Sequence, residues 1–147
     1  MVRNPDHVTI AVRDADAAIE FFALLGFRRD HTALIDGGEP AAYMGVPGMV
    51  ADHITLVLED ADPHFEIQLL HFRSPEPGTG DEEPSFRHRL GFNHLAFRVD
   101  DIAATAAHLE ANGAARLNAE IDYISRKLEF FAGPEGVTIE LVEWTGE

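Results

Sequence analysis

Two histidines, a glutamine and a glutamate stand at matching points in two copies of one sequence pattern. His7 opens the run HVTIAV, and His94 opens HLAFRV 87 residues later. The same offset carries Asp14 to Asp101 and Gly26 to Gly113. Farther along, IQLLHF (67–72) aligns with IELVEW (139–144), which pairs Gln68 with Glu140. Two imidazoles and two side-chain oxygens suit one divalent ion (Zn²⁺, Ni²⁺, Co²⁺, Mn²⁺ or Fe²⁺), with water in the remaining positions marking where a substrate binds. A lone histidine at a strand start is ordinarily a hydrogen-bonded surface residue, and a lone glutamate in a strand ordinarily faces water. The joint register of all four is what points to a metal shared between two half-domains.

Strand alternation supplies the placement. Val8, Ile10 and Val12 take one face and His7, Thr9 and Ala11 the other. Gln68 lies between Ile67 and Leu69, Glu140 between Ile139 and Leu141, and His94 between Asn93 and Leu95. In each case the apolar neighbours point into a helix-covered core and the polar residue points away from it. Glu66 shares the face of Gln68, and a carboxylate binds a dication better than an amide. The repeat alignment nevertheless selects Gln68, because register is a geometric constraint. His31, His53, His64 and His71 fall at strand ends or off the cleft register, His88 in a linker and His108 on a helix. These read as surface or capping residues. Arg87 and Arg89 read as a solvated basic turn, with contact to an anionic substrate as the functional alternative.

Around these residues the chain reads as βαβββ twice. In residues 1–72, strand HVTIAVRD leads to a helix capped by Asp14 or Asp16 and closed by Gly26. Strands follow at 27–34, 53–60 and 64–72. Residues 73–91, rich in Pro, Gly and acidic residues, form a linker with a mobile centre. In residues 92–147, strand 92–99 precedes a helix capped by Asp100 or Asp101 and ended by Asn112-Gly113. A weakly signalled strand spans 116–121, and clearer ones run 127–133 and 137–144 around the turn 133–136. From helix end to paired residue is 42 positions in the first copy and 27 in the second, a difference matching the Gly- and Pro-rich loop 36–50. That loop is therefore an insertion lying over the cleft, where Tyr43, Met44 and Met49 either line an apolar pocket or pin the loop down. The expected fold is α+β: two tandem modules forming an eight-stranded, cleft-bearing mixed sheet, with helices on the outer face, together one domain.

The bulk properties narrow the function. A chain of 147 residues suits one domain or two half-domains with a shared core. The absence of cysteine excludes disulfides, thiolate metal sites and cysteine nucleophiles. A formal net charge of -15 disfavours nucleic acid and anionic membrane surfaces. No apolar stretch approaches the roughly 20 residues of a bilayer span. MVRNPDHV runs straight into the first strand pattern and leaves no room for a signal peptide, so the expected location is cytoplasmic.

The segments DHVTIAVRDADAAIEFFALLGF, NHLAFRVDDIAATAAHLEANGA and GPEGVTIELVEW resemble the vicinal oxygen chelate superfamily. This group includes glyoxalase I, methylmalonyl-CoA epimerase, extradiol dioxygenases, and fosfomycin- and bleomycin-resistance proteins. The resemblance implies metal ligands on the first and last strands of each module: His7, Gln68, His94 and Glu140. That set is most similar to methylmalonyl-CoA epimerase. It further implies metal-assisted proton transfer next to a carbonyl, by an isomerase, epimerase or lyase acting on a small oxygen-rich molecule. Glu140 would then serve as ligand and base, with Glu66 a second candidate base. Two other activities fit the same family: an Fe²⁺ dioxygenase using His7, His94 and Glu140, and a metal-free drug- or metabolite-binding protein. A homodimer is the expected assembly.

Overall fold

An aspartate opens each long helix and a glycine follows its end. The computed structural model describes residues 1–78 and 90–146. In it, Asp14 caps α1 (Ala15–Leu24), its carboxylate accepting from the Ala17 amide at 3.0 Å. Asp101 caps α3 (Ile102–Ala111) through the Ala104 amide at 2.9 Å. Each cap is worth about 1 kcal/mol. Gly26 and Gly113, with φ of 93° and 88°, take the left-handed turn that lets the chain leave the helix.

The chain divides into two compact units, Met1–Thr79 and Gly80–Glu147. In the first, β1 (His7–Ala11) and α1 lead to β2 (Phe27–Asp36). A short helix α2 (Gly38–Tyr43) then precedes β3 (Val50–Leu58) and β4 (Glu66–Ser74). In the second, β5 (Leu95–Arg98) and α3 lead to β6 (Ile121–Asp122), β7 (Arg126–Ala132) and β8 (Thr138–Trp144). The eight strands form two four-stranded mixed sheets, ordered β1-β4-β3-β2 and β5-β8-β7-β6. In both, the first strand lies parallel to the last, and the remaining neighbours are antiparallel. This is the α+β repeat that the sequence implies. No helix among the described residues is long and apolar enough to cross a membrane.

Each helix covers one face of its own sheet. In the first unit Ala18 and Phe22 of α1 are buried with Ile10, Phe27, Ile54, Leu56, Ile67 and Leu69. The Phe22 ring meets Phe21 and Phe27 edge-on at 5.3 and 6.0 Å. In the second, Ile102, Ala106 and Leu109 of α3 are buried with Phe131, Ile139 and Leu141. The Glu143 carboxylate accepts the Ile102 amide at 2.7 Å, bringing negative charge to the positive end of the helix dipole. Gly133 sets the β7–β8 turn: a Cβ there would lie 2.7 Å from the Val137 carbonyl oxygen.

Several boundaries differ from the sequence expectation. β3 begins at Val50 and β4 ends at Ser74, inside the expected linker. The centre of that linker, with Arg87, His88 and Arg89, lies outside the described residues. β5 covers only 95–98, so His94 precedes the strand. The weak strand at 116–121 reduces to a bridge between Arg116 and Phe131 and the two residues of β6. The 36–50 loop contains α2, and Ala41, Met49, Ala51 and Leu70 pack together beneath it. Met49 therefore pins the insertion, whereas Tyr43 is exposed.

The helix side of the second sheet buries one carboxylate. Glu129 is 1% exposed; its Oε1 accepts from Arg116 Nη1, and its Oε2 has no partner among the described residues. Burial pushes its pKa above the ordinary value, outweighing the attraction of Arg116. The folded state therefore holds this proton more tightly than the unfolded chain. The contribution to stability is full below the ordinary carboxylate range and is lost as pH rises through the raised value. Glu129→Gln keeps an acceptor for Arg116 and removes the buried charge. It is expected to raise Tm at pH 7.5, with the gain shrinking toward pH 4.5 in thermal melts across that range. An equal loss of Tm at both pH values would refute this assignment.

Candidate metal centre

The parallel pairing of first and last strands places the four sequence-selected residues two to a unit, and in the second unit His94 and Glu140 meet. In the first sheet Thr9 stands opposite Gln68 and His7 opposite Glu66. In the second, Ala96 stands opposite Glu140. Thr9 and Ala96 are separated by the same 87 residues as His7 and His94. Gln68 and Glu140 therefore occupy the same place in their units, and Glu66 lies one pleat away from it.

Both histidines are held by the residue before them. His7 Nδ1 meets Asp6 Oδ1, and His94 Nδ1 meets Asn93 Oδ1 at 2.7 Å. Asp6 and Asn93 are themselves 87 residues apart. An ionised carboxylate and an amide oxygen only accept, so Nδ1 carries the proton in each ring and donates it. In His7 this leaves the Nε2 lone pair as the outward donor, the orientation that outer hydrogen bonds impose on metal-binding histidines, whereas His94 Nε2 faces a carboxylate, a contact that a proton or a cation must bridge. In the second unit His94 Nε2 lies 3.1 Å from Glu140 Oε2, with the Phe130 ring 5.1 Å from the imidazole. Two adjacent ligands each about 2.1 Å from one ion would stand about 3 Å apart, so the pair fits a cation. Glu140 is mostly covered, and His94 is about one-third exposed.

Gln68 is wired by its neighbours. Its Nε2 donates to Glu66 Oε2 at 3.1 Å, and Glu66 Oε1 accepts from His64 Nε2 at 2.9 Å. These two bonds, that of His64 first, hold the Glu66 pKa below its ordinary value. Because an ionised Glu66 can only accept, the amide orientation is settled and Oε1 turns the other way. There it meets His53 Nε2 at 3.0 Å and Thr9 Oγ1 at 3.5 Å.

His53 corrects the sequence reading. The pattern sets it at a strand end or off the cleft register, yet β3 begins three residues earlier and His53 stands opposite Leu70, on the face of Gln68. The strand is extended by the packing of Met49 and Ala51 under α2, a tertiary contact without a local signature. The outer anchors Asp6 and Asn93 were also missed, although an acceptor preceding each histidine at the repeat offset was a usable signal. His31 bonds Asp30, and His71 lies near the Val12 carbonyl oxygen. Among the described residues no three His, Asp or Glu side chains form a metal-holding group; the candidate donors come two to a unit.

The family model described as Glyoxalase/Bleomycin resistance protein/Dioxygenase superfamily matches residues 4–141. The uncharacterized protein YaeR of Escherichia coli is 38% identical over 80 residues, covering 54% of this chain and 58% of YaeR. Glyoxalase I of Saccharomyces cerevisiae is 37% identical over 137 residues, covering 92% of this chain and 36% of the yeast protein. The chain thus spans little more than half of one of these relatives and about a third of the other. A crystal structure of a glyoxalase family protein from Bacillus cereus superposes with a TM-score of 0.87 at 28% identity, covering 99% of this chain and 97% of that one.

The anchoring of the histidines has a readout free of metal. Nitrogen NMR of the metal-free protein is expected to show His7 as the Nδ1–H tautomer. Asp6→Ala should move His7 toward the Nε2–H form that free imidazole prefers and weaken divalent-metal binding about 10-fold or more. Unchanged tautomers in that variant would remove Asp6 from this role.

Proposed function

The chain belongs to the glyoxalase/bleomycin resistance protein/dioxygenase superfamily, and from that membership and the paired donors we propose that it is a divalent-metal-dependent enzyme moving a proton next to a carbonyl. Its class would be isomerase, epimerase or lyase of the glyoxalase type, its substrate a small oxygen-rich molecule, and the two units would act as one domain. The observation that carries this reading is the repeated arrangement. In both units an imidazole anchored through Nδ1 opens the first strand's pattern, and an oxygen donor occupies one register position on the parallel last strand.

His7, Gln68, His94 and Glu140 would hold the metal, one of Zn, Ni, Co, Mn or Fe. When bound, it would supply Lewis acidity to stabilise charge developing on the substrate's oxygens. The remaining work falls to side chains. Glu140 is the proton carrier in this reading: at the Gln68 position the amide has no proton-accepting role, so Glu140 alone of the two can accept and return a proton. Glu66 has both oxygens engaged and serves to orient Gln68 rather than to act as base. His53 and Thr9 orient the same amide from its oxygen side.

Protein purified without chelators is expected to carry about one metal per chain, and His7→Ala and His94→Ala should each lose it. With a substrate in hand, Glu140→Gln should lower kcat by about 10²-fold or more. Proton NMR in D₂O should show solvent deuterium entering the carbon next to the carbonyl. A protein that takes up no metal on titration would overturn the proposal, as would O₂ consumption strictly dependent on Fe²⁺.

A further inference from the structure

The sheet face that carries Glu140 continues to an arginine that, among the described residues, has no anionic partner. Phe130 stands opposite Glu140, Leu128 opposite Val142 and Arg126 opposite Trp144, all on one face. The guanidinium carbon of Arg126 sits 4.8 Å from the centre of the Trp144 ring, a cation–π contact. Its Nε is shut from solvent and, among the described residues, bonded to nothing. The chain holds 26 acidic residues against 11 basic ones, yet among the described residues the carboxylates nearest in register lie on the other side. Asp122 and Glu143 register with Lys127, and Glu129 lies two residues along the same strand, so alternation puts all three on the opposite face. A partly covered cation left without a counter-charge is costly unless a ligand supplies one.

The surroundings are built to hold this pair still. The Tyr123 amide donates to the Arg126 carbonyl oxygen at 2.8 Å, and the Thr145 amide donates to the Ser125 carbonyl oxygen at 2.9 Å. The turn between β6 and β7 puts Ile124 and Ser125 at φ of 45° and 58°, a region that a β-branched side chain strongly disfavours. Ile121, Tyr123 and Trp144 around it stay about half exposed, an apolar rim beside the guanidinium.

We propose that Arg126 and Trp144 form the anion-recognising end of the ligand-binding face. The ligand is a small carboxylate whose apolar or aromatic middle crosses Leu128 and Val142. Four residues of strand separate Arg126 from Phe130, about 13 Å, which sets the distance between the carboxylate and an oxygen-bearing head at His94 and Glu140. The head's placement rests on the function proposed above; the anion end does not. Stacking leaves the Nη edge of the guanidinium for the two-pronged pairing that arginine makes with carboxylates.

Trp144 is the only tryptophan of the chain, so its emission reports this place alone. Metal-free protein titrated with 4-phenylbutyrate should show a saturable change in that emission. The neutral 4-phenylbutyramide should bind about tenfold more weakly or worse. Arg126→Gln should erase the difference between acid and amide, and Arg126→Lys, which keeps the charge, should keep part of it. Equal binding of acid and amide would overturn the proposal, as would an Arg126→Gln variant that still prefers the acid. An emission change that follows protein concentration and sedimentation instead of ligand would also overturn it, by assigning the face to a second copy of the chain. A protein that binds no metal would sink the catalytic reading and leave this test standing.

Discussion

Each unit of this molecule depends on one pairing: the first strand lies parallel to the last. A parallel pair cannot be closed by a tight turn, so the intervening helix and two strands are the crossover that returns the chain. Everything chemical follows from that closure. It puts the histidine at the start of the first strand, or just before it, beside the strand of the oxygen donor that nearly ends the unit, 61 residues later in the first case and 46 in the second. The helix then covers the apolar side of the pair, which forces the polar row to the other side.

Within the polar row, satisfaction of hydrogen bonds does the positioning. An amide can point either way, and Gln68 is made one-directional by an acceptor-only carboxylate on one side and donors on the other. Glu66 is in turn kept ionised by His64. The imidazoles are aimed by the same logic through Asp6 and Asn93. Such wiring keeps side chains in place before any ligand arrives, so little ordering remains to be done on binding.

The repeat, the helix caps and the strand faces were legible in the sequence because their causes are local. Asp14 and Asp101 reach amides three residues away, and Gly26 and Gly113 answer to the turn next to them. The equivalence of Gln68 and Glu140 was legible too, since alternation and register carry it. What depends on distant packing was not. The early start of β3 follows from Met49 and Ala51 settling under α2, and with it came the misplacing of His53. The segment around Arg116 pairs too little to leave a strand pattern. Arg126 and Trp144 are 18 positions apart, and only the antiparallel register makes them neighbours.

The duplication is imperfect where it matters most. Gln68 and Glu140 hold one position in two copies, and the anchors before the histidines are a carboxylate in one copy and an amide in the other. The first unit thus keeps its negative charge beside the twin position, at Asp6 and Glu66, and the second places it at that position itself. Under the proposed function only one of the twin positions takes a proton, so the broken symmetry would give the reaction a handedness.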